Sequence, residues 1–387
     1  MTAAPPATRA LPEGTARVQE AVRAALAAGA RLAPRGAGTW WPDPAAGAVP
    51  LELSGIAHVA ALEPADLVVT AGAGCRLDAL DARLADAGVW LALDPPGSRA
   101  RSVGGVLAAG GGGPLAARYG TPRHQVLGLT LVTGNGRAVR LGGRVVKNVA
   151  GFDVAKTVLG GHGAYGAIVE AHLRLHAHPA ADETRAWSGS LREVASAAAR
   201  ALAAGAAPAA LEVVSPPLAH ALLGTDGWAL LARDLGGRAA VEGELAAVAA
   251  AAETALRRVA TVGGAWEGWR AEVGGWPVLL RVGADPAAWP DAAALLEEHL
   301  GPPLGVSVTV PRGTTRAGFA SAGAGGVAAL RVAAARRLWP VVLERSPAGL
   351  RAEAGVWGSL APGTRRLAEA VRRVLDPNDV FAVPVLA

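Results

Sequence analysis

Four glycine-bearing turns punctuate the first 170 residues: Pro34-Arg35-Gly36-Ala37-Gly38-Thr39, Pro95-Pro96-Gly97-Ser98, Ser102-Val103-Gly104-Gly105 and the run from Gly160 to Gly166. Short strand-like and helix-like segments alternate between them, which confines the chain to a layered fold whose strands end in tight turns. Glycine lets backbone N–H groups approach a ligand and converge on an anionic oxygen, as a diphosphate requires. Each turn alone is accounted for by turn geometry. Four at strand ends in one half of the chain point to a large phosphate-bearing cofactor.

Apolar spacing predicts a helix over Thr15–Ala28, closed by Gly29, and strands over 31–34, 49–53, 60–63, 67–71 and 89–93. Helices are expected over 77–87, 102–109 and 153–159, and a strand over 167–175. Val126–Val132 and Arg137–Leu141 flank Thr133-Gly134-Asn135-Gly136, where Asn-Gly signals a hairpin. His176 to Arg185, with Pro179 and several charges, reads as a boundary loop. Beyond it, helices over 191–204, 239–256 and 287–300 and strands over 211–214, 227–232, 277–282 and 306–310 imply an antiparallel sheet covered by helices. The glycine-rich stretch 318–326 reads as a loop with no helix after it, and 364–375 as an amphipathic helix. With 387 residues the chain exceeds one ordinary core, so two domains are expected, 1–180 and 181–387, in an α+β fold.

Several function classes are excluded. Net charge is +5, but the arginines are scattered and no basic run is interleaved with aromatics, which excludes a nucleic-acid binder. No apolar stretch reaches the roughly 18–20 residues of a membrane helix, and the first ten residues lack a signal core, so a cytoplasmic protein is expected. The single cysteine, Cys75, excludes an internal disulfide and a cysteine-ligated cluster, and it reads as a small packed residue. Neither lysine, Lys147 or Lys156, follows a glycine, so there is no Walker A loop. Gly161-His162-Gly163-Ala164-Tyr165-Gly166 fits G-x-G-x-x-G, but it follows a helix and opens a strand, the reverse of a dinucleotide fingerprint. No G-x-S-x-G elbow is present.

The order Pro-Arg-Gly-x-Gly-Thr, Pro-x-Gly-Ser, x-Gly-Gly-x-x-Ala-x-Gly, Tyr-Gly, Lys-Asn-Val-Ala-Gly-Phe-Asp-Val and Gly-x-Gly-x-x-Gly-x-Ile-x-Glu resembles the vanillyl-alcohol oxidase (PCMH-type) FAD-binding domain. Gly142 to Asp153 is most similar to the E subunit of bacterial glycolate oxidase. The resemblance covers about Arg9 to Pro179 and weakly 375–381. It implies a two-subdomain FAD-binding domain followed by an α+β cap, or substrate, lobe, with the C-terminal helix returning to the first domain. Pro34, Arg35, Gly36, Ala37, Gly38 and Thr39 would wrap the FAD diphosphate. Pro96, Gly97, Ser98, Ser102, Gly104, Gly105 and Gly110 would line the cofactor, with Gly163, Gly166 and Ile168 further along it. Thr39 stands where some relatives carry a histidine bonded to the flavin, so FAD would be noncovalent. The resemblance further implies a 2-hydroxy-acid substrate, a second flavoprotein subunit, an iron-sulfur subunit, and membrane association only through such partners. A stand-alone FAD alcohol oxidoreductase and a structural subunit without catalysis are the alternatives.

The chain departs from relatives at Phe152, where many have tyrosine, and at Gly161-His162, where many have Ser-Glu. The ending also lacks Asn-Pro-Gly after Phe381. Related hydroxy-acid dehydrogenases carry a histidine-rich metal motif in the second lobe, whereas this lobe has only His220 and His299, so no metal ligands and no catalytic residue are assigned. Asp153 is read as a helix N-cap, and Lys147 as either a ligand contact or a solvated charge. His172, Arg174, His176 and His178 alternate as an exposed strand face, and the eleven tryptophans fill core or interface positions.

Overall fold

The computed structural model describes residues 14–41, 43, 47–143, 153–358 and 360–382. Lys147, Asn148 and Phe152 lie outside them.

The first helix, Thr15–Ala28, buries Val18, Val22 and Ala25 and ends at Gly29 in the left-handed conformation. Next comes Arg31–Arg35, paired in parallel with Ala48–Glu52. A five-stranded sheet follows in the spatial order Val59–Glu63, Val68–Gly72, Ala167–Arg174, Val126–Val132, Ala138–Gly142, every neighbouring pair antiparallel. The hairpin turn forms as expected, with Thr133 donating to Asn135 Oδ1 at 2.6 Å and Gly136 at φ 71°. Helix Leu77–Asp86 packs Leu77, Leu80 and Leu84 onto this sheet's core together with helix Val103–Ala109.

An eight-stranded antiparallel sheet forms the second lobe, in the order Arg257–Val259, Ala181–Gly189, Trp228–Gly236, Ala210–Val214, Gly305–Thr309, Thr314–Phe319, Val278–Gly283, Val341–Arg345. Its alternation sends Trp187, Val213, Leu230 and Leu280 to one face, under helices Leu191–Ala203, Arg238–Ala252 and Trp289–Leu300. Ala186, Val214, Leu231 and Leu279 go to the other, under Pro216–Leu223 and Ala265–Gly275. Ser190 and Glu193 close a capping box at the start of Leu191–Ala203. The chain end returns to the first lobe, where Leu32 N–H donates to Val380 O at 2.7 Å and Ala382 N–H to Leu32 O at 2.8 Å.

Four expectations are corrected. The segment 176–185 is not a loop: His176–Ala177 pairs with Val89–Trp90, and Ala181–Gly189 is a strand inside the large sheet. Its charges misled because they point outward, Asp182 pairing with Arg233 at 2.6 Å. The strand expected over 89–93 stops at Trp90. The stretch 318–326 begins in a strand and is followed by helix Ala324–Ala335, which buries Val327, Leu330 and Ala334 although it starts from glycine without a side-chain cap. His172 is not on an exposed face, being buried with Nδ1 3.0 Å from Thr70 Oγ1, while Arg174 and His178 are exposed.

Candidate cofactor cleft

Strand Arg31–Arg35 runs into a turn whose conformation depends on glycine at two places. Gly38 has φ 66°, and a Cβ there would lie 2.7 Å from the Arg35 guanidinium folded beneath it. A Cβ on Gly36 would lie 2.0 Å from Ser102 Oγ. That hydroxyl joins the turn to the next element, accepting from Ala37 N–H and from Gly105 N–H, each at 3.3 Å, and thereby capping helix Val103–Ala109.

Together these segments border a cleft of about 110 Å³ lined by residues 34–41, Arg101, Ser102, Gly105, Ala108, Ala109 and His162. Pro34, Arg35, Gly36, Ala37, Gly38, Thr39, Ser102 and Gly105 are thus brought together. Gly163 stands at the margin, where a Cβ would be 3.2 Å from the Pro34 ring, and Pro96 lines an adjoining small cavity. Gly97 is covered by the second lobe: its N–H donates to Arg270 O at 2.8 Å, and a Cβ on Gly274 would lie 2.2 Å from its Cα. Ser98 Oγ accepts from Ala100 N–H within its own turn. Gly104 packs on Ala73, Gly110 on Gly160 and Gly166 on Leu131, while Ile168 is buried in the sheet, so the Cα or side-chain faces of these four turn to packing.

Other residues in the cleft carry no motif. Trp40 and Trp41 line it, and Trp40 also packs against the second lobe's core. They follow the turn directly, and a tryptophan doublet at that position is the one signal in the sequence that marks them. Trp41 stacks on His162 at 4.3 Å with the rings 4° from parallel, and its indole N–H donates to Glu344 O at 3.1 Å across the lobes. His162 has φ 49°, an uncommon conformation for a non-glycine residue, and lies inside the glycine run that is not a dinucleotide fingerprint. Burial pushes its imidazole down to about 3, and the Arg351 and Arg101 charges act in the same direction, so the ring is neutral at pH 7.

The second lobe adjoins the cleft through Glu344, which lines the neighbouring small cavity together with Trp40, Arg101 and His162. Arg281 and Arg316 are directly opposed on neighbouring strands, and Glu344 lies between them, accepting from Arg281 Nε at 2.6 Å and Arg316 Nε at 2.8 Å. Burial would raise the Glu344 carboxyl, but the two guanidinium groups outweigh it and hold it down to about 2. Arg316 also donates to Gly112 O of the first lobe at 2.6 Å. Asp94 fixes that glycine stretch by accepting from Gly113 N–H and Leu115 N–H, and burial pushes its carboxyl up to about 6.

Converging backbone turns, a hydroxyl and two bordering guanidinium groups, Arg35 and Arg101, fit the diphosphate part of a dinucleotide. The cleft is smaller than the roughly 300–1,000 Å³ of a site enclosing a whole ligand of that size. Of the remaining candidates, Asp153 caps helix Val154–Val158, accepting from Lys156 N–H at 3.2 Å. Cys75 is buried, and burial raises its thiol. Trp187, Trp269 and Trp289 are core residues. His220 is exposed beside Asp226, and no group of three or more metal-ligating side chains occurs among the described residues.

Residues 6–142 match the family described as FAD binding domain. The glycolate oxidase subunit GlcE of Escherichia coli (strain K12) is 37% identical over 136 residues, 35% of this chain and 39% of that protein. The D-2-hydroxyglutarate dehydrogenase of Xanthomonas citri pv. viticola is 33% identical over 173 residues, 44% of this chain and 37% of that protein. The chain thus spans well under half the length of these relatives. An alkyldihydroxyacetonephosphate synthase structure superposes with a TM-score of 0.66 over 94% of this chain and 73% of that one, at 16% identity, which bears on the fold alone. Residues 6–142 thus carry an FAD-binding domain, followed by an α+β lobe built on an antiparallel sheet, and over the matched part the chain is similar to FAD-linked oxidoreductases, glycolate oxidase GlcE among them.

Proposed function

We propose that this chain is the FAD-binding subunit of a glycolate-oxidase-like complex that oxidises a small 2-hydroxy acid and passes the electrons to a partner subunit. The observation that carries the reading is the meeting of the 34–39 turn, Ser102 and Gly105 at one cleft, from which Trp41 reaches the second lobe at Glu344 O. Bound FAD would supply the two-electron acceptor. Arg35, the backbone of Gly36–Thr39 and Ser102 would hold its diphosphate. Pro96, Gly97, Ser98, Gly104, Gly105, Gly110, Gly163, Gly166 and Ile168 would shape the walls and the turns behind them. Thr39 offers no imidazole for a flavin bond, so attachment is noncovalent. A single cysteine requires any iron-sulfur cluster to belong to a partner.

Purification of the chain with its visible spectrum, followed by anaerobic addition of glycolate or D-lactate, tests this reading. A yellow protein that releases its flavin on denaturation and is bleached by one of the acids is the expected result. A colourless protein that FAD cannot reconstitute refutes it. A second reading, accessory electron carriage beside a catalytic flavoprotein, is favoured by the placement of His220 and His299 outside the cleft-lining residues. It predicts a yellow protein that no hydroxy acid bleaches.

A further inference from the structure

We propose that Arg101, with Arg345 beside it, anchors an oxyanion in the cleft bordered by the 34–41 turn, either a carboxylate of the small-acid substrate or a phosphate of the cofactor. This deepens the flavoprotein reading and rests on it for the ligand's identity, although not for the existence of an anion site.

Arg101 is 3% exposed. Of the five N–H donors a guanidinium carries, one group, Nη1, is engaged, donating to Pro96 O at 2.7 Å. Among the described residues no carboxylate lies within ion-pair distance of it. The acid that acts on it electrostatically, Glu344, is already held by Arg281 and Arg316. Other well-covered arginines are treated differently: Arg233 pairs with Asp182 and Arg316 with Glu344. Arg351, also buried, donates to the carbonyls of Ser346 and Asp43. Arg101 instead lies with Cζ 4.1 Å over the Trp40 ring and faces the cleft.

Arg345 adds to the imbalance. Its Cζ is 5.9 Å from the centre of the same indole, and its guanidinium donates to Gly274 O. One carboxylate, Glu344, therefore serves a cluster that contains Arg101, Arg281, Arg316 and Arg345. Desolvation of an unpaired cation is costly, and an indole face offsets only part of it. Burial, with Arg345 acting the same way, lowers the Arg101 guanidinium to about 9, and an anion bound against it would reverse that shift. The adjoining cleft of about 110 Å³ gives a carboxylate or phosphate group a place to sit.

The test uses the full chain and the Arg101→Gln and Arg101→Lys variants. Oxalate is titrated into flavin-loaded protein and followed by flavin absorbance, while FAD and riboflavin are titrated separately into flavin-stripped protein. Arg101→Gln is expected to weaken one ligand by about tenfold or more, the loss of a charge-assisted hydrogen bond, with partial recovery in Arg101→Lys. A substrate carboxylate shows as weaker oxalate binding with FAD unchanged. A cofactor phosphate shows as weaker FAD binding with riboflavin unchanged. Wild-type behaviour of Arg101→Gln in both titrations overturns the proposal. Should the variants fail to fold, the melting temperature of the wild-type chain in oxalate and in pyrophosphate is compared with chloride at matched ionic strength. A rise in either supports the site, and equal melting in all three overturns it. If the wild-type chain takes up no FAD, the flavoprotein reading fails while the melting comparison still decides the anion site.

Discussion

Replacing Gly36 with alanine isolates the contact that joins the two halves of the cleft. Gly36 is outside the positive-φ glycines, so an alanine can adopt its backbone and any cost is steric. The new Cβ would be 2.0 Å from Ser102 Oγ and 3.1 Å from Ser102 Cβ. The hydroxyl cannot simply rotate away at no cost, since it accepts from Ala37 N–H and Gly105 N–H. Overpacking of this kind costs about 1–3 kcal/mol, and loss of a serine cap about 1 kcal/mol. If the clash is the cause, Gly36→Ala/Ser102→Ala is less destabilised than the sum of the single variants. Removal of Oγ leaves a Cβ–Cβ contact that a shift of a few tenths of an ångström relieves. The double-mutant cycle should therefore show a coupling of about 1 kcal/mol or more, measured by urea unfolding of the ligand-free chain. FAD affinity should fall in Gly36→Ala and stay low in the double variant, which also lacks the Ser102 hydroxyl proposed to hold the diphosphate. Additivity within about 0.5 kcal/mol would refute the account of the turn as latched by Ser102.

Glu344→Gln should destabilise by about 3 kcal/mol, because buried Arg316 would be left without its carboxylate and half-buried Arg281 would lose its partner. In the wild type the depressed Glu344 contributes stability above its ordinary value near 4.5 that is lost as pH falls toward about 2, so the variant should show a flatter acid limb in calorimetry; an unchanged limb excludes this. Glu212, buried against Ser307, has its carboxyl pushed up to about 8 by burial. Its stabilisation is complete below about 4.5 and declines as pH rises through about 8, so Glu212→Gln should reduce the fall in melting temperature over that window, and an identical fall would count against a buried neutral acid. His162→Ala should speed FAD association in stopped-flow fluorescence, since it removes one ring of the stack in the cleft; an unchanged rate would show that the stack does not stand in the cofactor's path.

The first lobe was legible because its signals are local. A closing glycine, an Asn-Gly turn and period-two or period-3.6 apolar spacing each act within a few residues, and helix Thr15–Ala28 and the 126–142 hairpin formed where that spacing placed them. Where tertiary packing overrode local chemistry, the reading failed. Ala181–Gly189 was hidden by outward-facing charges, and strand Val341–Arg345 gave no distinct signal although it carries Glu344. Helix Ala324–Ala335 lacks a capping side chain and is held by Val327, Leu330 and Ala334 against the large sheet. Such elements exist because a partner surface exists.

The site divides in the same way. Its turn-built half is written in glycines, because a turn that must pass close to a neighbour excludes a Cβ whatever the rest of the chain does. Its other half depends on sheet register: Arg281, Arg316 and Glu344 come from three strands, and Arg281 and Arg316 oppose each other only in the observed pairing. Arginine carries nearly all of this chain's positive charge, so no arginine is conspicuous by type. What distinguishes Arg101 is that it borders the cleft while lacking an acid within ion-pair reach among the described residues, a property of three-dimensional pairing that spacing along the chain does not encode. The turns therefore indicate where a cofactor's phosphates would sit, while the unbalanced guanidinium groups carry the information about which anion the cleft selects.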